Sequence, residues 1–192
     1  MVTIKNKKNN INQNSKIMVI LYIWYPSIMD LQVGHTSLDI NGEEYVSFWP
    51  SDDNSNVKRK KVEVALSSRQ WTYSDSYDED IAEEGSPAHI TIKIRGLNEK
   101  EMMKWWGKFH EKTESKRFHL FHSNCSTVVA QCLHHGFDTR KGGFWDKASD
   151  TARYITSIAG WLKLISNASV WTPVQVEEFA LSLKNVIDDY EN

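Results

Sequence analysis

The dipeptide Asn41-Gly42 constrains this chain more than any other feature, because it stands between two β-rich runs, Val33 to Ile40 and Glu43 to Trp49. Both central residues of a two-residue type I′ turn need positive φ, which Asn and Gly adopt at little cost, so the segment predicts a β-hairpin. Ahead of it, Lys16 to Trp24 is apolar and rich in β-formers and predicts a buried central strand. Ala88 to Ile94 alternates, with Ile90, Ile92 and Ile94 on one face, and predicts a further strand that ends at Gly96. Residues 51 to 61 and 74 to 87 hold Asp, Ser, Gly85 and Pro87 and read as loops around a weaker strand at Val62 to Leu66.

After Gly96 the apolar period lengthens. Asn98 caps a helix with Glu101 three residues on, and Met102, Met103, Trp105, Trp106 and Phe109 form its apolar side. A second helix opens at Ser123 or Asn124, runs through Val128, Val129, Cys132 and Leu133, and is expected to close at Gly136. A third is expected over Ser149 to about Ile165. The last has Thr172 as cap, Pro173 at its first position and an apolar face through Val176, Phe179, Ala180 and Leu183. Strands early and helices late suit an α+β fold, a small antiparallel sheet packed on a helix that carries Cys125 at its N-terminus. Residues 1–15, rich in Asn and Lys, read as a disordered tail, and 16–192 as a single domain.

With 40% hydrophobic and 25% charged residues the chain can bury a core, and a formal charge of −2 argues against a nucleic-acid partner. The basic run Lys58-Arg59-Lys60-Lys61 reads as a solvated loop. The longest apolar run, Ile17 to Trp24, is far short of the ~20 residues that span a bilayer. It also lacks the small-residue cleavage site of a Sec signal peptide, so a soluble protein is expected. Cys125 and Cys132, seven residues apart on one helix, are separated by ~10 Å, too far for a disulfide. Free thiols suit a reducing compartment, and neither cysteine has zinc-ligand spacing, so no metal and no cofactor is expected.

Cys125 lies where a helix begins. Unpaired N–H groups and the positive end of the helix dipole there favour a thiolate, and the same groups can stabilise an oxyanion. Position alone equally allows a small core hydrophobe, since Cys125 shares its helix's apolar stripe; Cys132, two turns on, reads as core. A thiolate nucleophile needs a histidine. Among seven, His134 and His135 complement the helix C-terminus, His110 lies on a charged helix, and His119 and His122 precede the cysteine in a loop. His35 differs, standing on a strand beside Gly34, although a strand histidine can also simply face solvent. The group that would orient its ring is ambiguous. A tight Asn41-Gly42 turn pairs residues whose numbers sum to 83, which turns Ser47 away from His35 unless a bulge intervenes. Asp39 is ~13 Å along the strand, too far to help. Asp80, in an acidic loop, and His89 remain.

These pieces resemble circularly permuted papain-like enzymes, in which the histidine strand precedes the Asn-Cys helix: permuted NlpC/P60 peptidases, lecithin:retinol acyltransferase-like proteins, and the Rho-inactivation-domain fatty acyltransferases of bacterial toxins. The matching segments are Gly34-His35-Thr36-Ser37-Leu38, Tyr45 to Pro50, and Ser123-Asn124-Cys125-Ser126-Thr127-Val128-Val129, with Trp171-Thr172-Pro173 similar to the toxin members. The cysteine is not followed by the Glu-His of the retinol-type enzymes. The resemblance implies a permuted papain-like (NlpC/P60-like) fold, an acyl thioester on Cys125 and His35 as base. For the third member it favours Asp80 by chain order in the toxin type, and Ser47 by the retinol type.

The function implied is that of a secreted bacterial effector or toxin, delivered by a specialised system into a reducing cytosol and acting as a thiol acyltransferase or hydrolase. Its partners would be a protein or peptide substrate and an acyl-CoA or lipid acyl donor. A peptidoglycan-peptide amidase and a non-catalytic binding module are the alternatives. Phe48, Trp49, Trp145 and Trp171 read first as core, with Trp49 and Trp171 as candidates to line a substrate groove. Tyr154, Ile155, Ile158, Trp161, Leu162 and Ile165 make the only segment with which membrane contact could be argued, and core is again the first reading.

Overall fold

Alternation of apolar side chains builds the central sheet. In the computed structural model, which describes residues 18–27, 32–52, 55–58, 70–111, 117–120, 123–138 and 171–191, β1 (Met18–Trp24) and β2 (His35–Ile40) form its middle. The edge strands are β3 (Glu44–Val46) beside β2 and β7 (Ile90–Arg95) beside β1, and every pairing is antiparallel. A smaller sheet sets β4 (Trp49–Asp52) between β5 (Ser55–Lys58) and β6 (Trp71–Thr72). Four helices occur among the described residues: α1 (Tyr77–Glu84), α2 (Glu99–Glu111), α3 (Cys125–Asp138) and α4 (Pro173–Glu191). The architecture is α+β. The expected tail 1–15, the strand at Val62 to Leu66, Arg59 to Lys61, Trp145 and the helix at Ser149 to Ile165 lie outside the described residues.

One face of the large sheet is predominantly apolar. Val19, Leu21 and Ile23 of β1, Leu38 and Ile40 of β2, Val46 of β3, and Ile92 and Ile94 of β7 are buried with Met102, Trp106, Val128, Val129, Leu133, Val176, Ala180 and Leu183 from α2, α3 and α4. The helices start as their sequences require. Asn98 Oδ1 accepts from Glu101 N at 3.3 Å, and Thr172 and Gln175 cap each other reciprocally at 3.2 and 3.3 Å. Helix α3 does not stop at Gly136 but continues to Asp138. At that glycine α3 lies close against α2: an added Cβ would lie 2.4 Å from Met102 Sδ, and its carbonyl accepts the Asn98 amide at 2.9 Å.

Two sequence expectations are corrected, and both bear on the opposite face. Asn41 and Gly42 have the positive φ foreseen for them, 59° and 70°, but Glu43 stays in the turn, so Leu38 faces Val46, Asp39 faces Tyr45 and Ile40 faces Glu44. Paired numbers sum to 84 rather than 83. The longer turn is held by its own side chains: Asp39 Oδ1 accepts the Gly42 amide at 2.6 Å, and Asn41 Nδ2 donates to Glu43 Oε1 at 3.0 Å. The slip carries Tyr45, Ser47 and Trp49 onto the face of His35.

The second correction is α1, which occupies the segment read as an acidic loop. Ser76 caps it by accepting the Glu79 amide, Glu79 answers by accepting the Asp75 amide at 3.2 Å, and Gly85 closes it in the left-handed conformation at φ 72°. Asp78, Glu79 and Asp80 in the first turn suit the positive end of its dipole.

Candidate active site

His35 opens β2, and Gly34 sets it there. Gly34 has φ 75°, and an added Cβ would lie 2.7 Å from the Trp24 carbonyl oxygen and 2.8 Å from Pro26 N, so only glycine lets the chain turn this tightly off β1. The imidazole stacks on Trp49 with centroids 4.0 Å apart and tilts against Trp24 at 5.6 Å. It is 1% exposed.

Its Nε2 points at α1, 3.2 Å from Asp80 Oδ2 and 3.1 Å from Ser47 Oγ. A carboxylate only accepts, so Nε2 carries a proton and the other nitrogen, Nδ1, is left for the thiol. Asp80 is fully buried and collects further donors. Tyr45 OH donates to Oδ2 at 2.8 Å, while Ser47 Oγ, Trp49 Nε1 and Ser74 Oγ donate to Oδ1 at 3.0, 2.9 and 2.5 Å. Burial opposes its charge, but His35 and these donors outweigh burial and hold the carboxyl below the ordinary carboxylate range.

Cys125 is the first residue of α3, and Asn124 aims it. The Asn124 Oδ1 accepts the Thr127 amide at 2.7 Å and the Thr127 hydroxyl at 2.9 Å, while its Nδ2 donates to the carbonyls of Leu120 at 2.6 Å and Trp171 at 2.9 Å. The side chain that precedes the cysteine thus caps the helix and ties its start to the segment entering α4. Burial resists ionisation of the Cys125 thiol. His35, by charge and by hydrogen bond, the backbone N–H of Thr36 and the side chain of Ser126 overcome that and lower its pKa. Thr36 lies beyond the last β2–β3 pair, Leu38 with Val46, which leaves its amide to the thiol.

For His35, burial again disfavours charge, but Asp80 and Cys125 push its pKa up to about 10. The pair therefore favours thiolate and imidazolium. A thiolate, a proton held beside it and an anchored carboxylate behind are the parts of nucleophilic attack with proton return.

Cys125, His35 and Asp80 are thus brought together, and Ser47, the alternative to Asp80, joins them through the register slip. His89 does not, since its Nδ1 accepts the Tyr25 amide at 2.9 Å and its ring stacks on Tyr25. Cys132 is fully buried in the core, and burial alone raises its thiol pKa. Trp49 and Trp171, named for a substrate groove, are placed differently: Trp49, 2% exposed, braces His35 and Asp80 from inside, and Trp171, 8% exposed, packs on Phe179 and lends its carbonyl to Asn124. Phe48 is core. Ser74, Tyr45, Thr36 and Ser126 were not foreseen in the site. Ser126, next to the cysteine, and Thr36, next to the histidine, had positions that marked them. Among the described residues no group of three or more His, Cys, Asp or Glu is set to hold a metal, and no helix is long and apolar enough to cross a membrane.

The family model of the IcsB middle domain matches residues 83–192, a little over half of the chain. The chain belongs to that family. The IcsB middle domain is a bacterial effector domain, and the matched part contains α2, α3 and α4 with Asn124, Cys125 and Ser126, while His35 and Asp80 precede it. No curated protein and no solved structure matches the chain.

Proposed function

We propose that this chain is a cysteine-dependent acyl-transfer domain of a bacterial effector, with a permuted papain-like fold, acting on protein or peptide substrates. The observation that carries the reading is the buried succession of Cys125, His35 and Asp80, in which Asp80 anchors one side of the imidazole while the thiol's lowered pKa draws on the other. In the first half-reaction the Cys125 thiolate bonds to the donor's acyl carbon. The bond to the leaving group breaks, and that group takes the proton of the His35 imidazolium. In the second, an acceptor amine or water gives a proton to neutral His35 and attacks the thioester, which returns the thiolate. Asp80 stays ionised throughout and fixes the ring. An acyl-CoA or lipid ester is the donor class, and a reducing cytosol, which keeps the thiol free, is the place of action.

Intact mass after incubation with a long-chain acyl-CoA tests this. The native chain should gain one acyl group, released by hydroxylamine as a thioester is, and Cys125→Ala and His35→Ala should gain none. Equal acylation of native chain and Cys125→Ala would sink the reading.

A further inference from the structure

Thr36 approaches the thiol by a second route. Its side chain lies on the face of β2 opposite His35, fully buried, and its Oγ1 donates to Ser126 Oγ at 3.4 Å. Ser126 Oγ is in turn 4.0 Å from Cys125 Sγ, and Ser126 is 1% exposed. A buried hydroxyl directs its hydrogen at an acceptor. With the Thr36 hydrogen given to Ser126 Oγ, the Ser126 hydrogen has the sulfur as the acceptor in front of it.

Resting on the reading of Cys125 as the nucleophile, we infer that Thr36 and Ser126 form a hydroxyl relay that stabilises the Cys125 thiolate from the side away from His35. Thr36 then acts twice, directly through its backbone N–H and indirectly through its hydroxyl. The Ser126 side chain's part in lowering the thiol's pKa agrees with this arrangement, and the Thr36 backbone N–H lowers it separately. The relay stabilises the sulfur's charge before attack and again when the second half-reaction expels the thiolate from the thioester, and its donors are fixed dipoles that need not reorganise. Ser126 and Thr36 are positioning residues in this scheme, since neither exchanges a proton with substrate.

The rate of Cys125 alkylation by iodoacetamide, followed by peptide mass across pH on the full chain, reads the relay without any acyl donor. Ser126→Ala should have its labelling curve moved to higher pH, labelling roughly threefold to tenfold more slowly on the rising limb, the value of one modest hydrogen bond. Ser126→Thr, which keeps the hydroxyl, should return the curve toward the native one. Thr36→Val keeps the amide and loses only the hydroxyl, so it should shift the curve the same way and less. Added to Ser126→Ala it should shift it no further. A native labelling curve in folded Ser126→Ala overturns the relay. If the thermal midpoint shows that Ser126→Ala has not folded, an unshifted curve in Thr36→Val overturns it instead. An activated native thiol with unshifted variants removes the relay alone, whereas a native thiol no faster than a free cysteine removes the nucleophile reading as well.

Discussion

Asp80 has five side-chain donors around two oxygens, from His35, Tyr45, Ser47, Trp49 and Ser74, against roughly four lone-pair sites on a carboxylate. Such a group anchors, and it stays ionised down through the ordinary carboxylate range. Its folded pKa is depressed, so the stability it supplies is present above the ordinary carboxylate value of 3.8 and is lost as pH falls through the lower folded value. Asp80→Asn should remove that acid limb from the thermal midpoint plotted against pH. At neutral pH it should also cost about 3 to 5 kcal/mol in urea unfolding, the range for breaking a buried charge pair. An unchanged acid limb would mean that another carboxyl carries it. Reactivity follows the same chain of contacts. His35→Ala deprives the Cys125 thiolate of its cation, so its iodoacetamide labelling should begin at higher pH than in the native chain, with Cys132 unlabelled in both. Labelling indifferent to His35 would contradict the pairing.

Elements deliver these residues through their ends. Helix α3 presents Cys125 because Asn124 satisfies the first turn, and all four hydrogen-bonding positions of the Asn124 amide are used. Asn124→Ala should therefore lower stability by more than the ~1 kcal/mol of an ordinary cap, because two carbonyls lose their donor as well. Chemical denaturation of native and variant chains measures it, and a loss below that value would show that the Leu120 and Trp171 contacts contribute nothing. Strands β1 and β7, the starts of α2 and α4 and the chemistry of the 41–42 turn were legible, since alternation, caps and positive-φ residues are local signals. Helix α1 was not read. It has eight residues, and its buried positions are Asp80 and Glu84, so it offers no apolar period. Ser76 three residues before Glu79, with Gly85 beyond, was a legible frame that polar composition masked.

Across the whole molecule the division of labour follows the large sheet. Its apolar face packs on α2, α3 and α4, and those contacts were foreseeable because hydrophobic residues declare their side by spacing. The other face is more polar, and α1 packs over the part that holds His35: Ser37 Oγ reaches Tyr45 OH at 2.7 Å, and Tyr22 stacks on Tyr77 at 4.0 Å. Polar partners separated by 31 to 45 positions, as Trp49 and His35 are from Asp80, leave no periodic trace. Cys125 and His35 were legible as residue types in fitting surroundings, whereas Asp80 was reached by chain order and Ser47 was assigned to the wrong side.

That misassignment follows from a single residue, Glu43, and it shows what kind of information the hairpin turn holds. Side chains on a strand obey parity. With three residues in the turn, Tyr45, Ser47 and Trp49 are in phase with His35; with two they would be out of phase, and Val46 and Phe48 would be offered to Asp80 instead. The identities of residues 41–43 are thus freer to change than their number, because an insertion or deletion there would exchange the two faces of the run from Glu44 to Trp49 while leaving every residue of the site in the sequence.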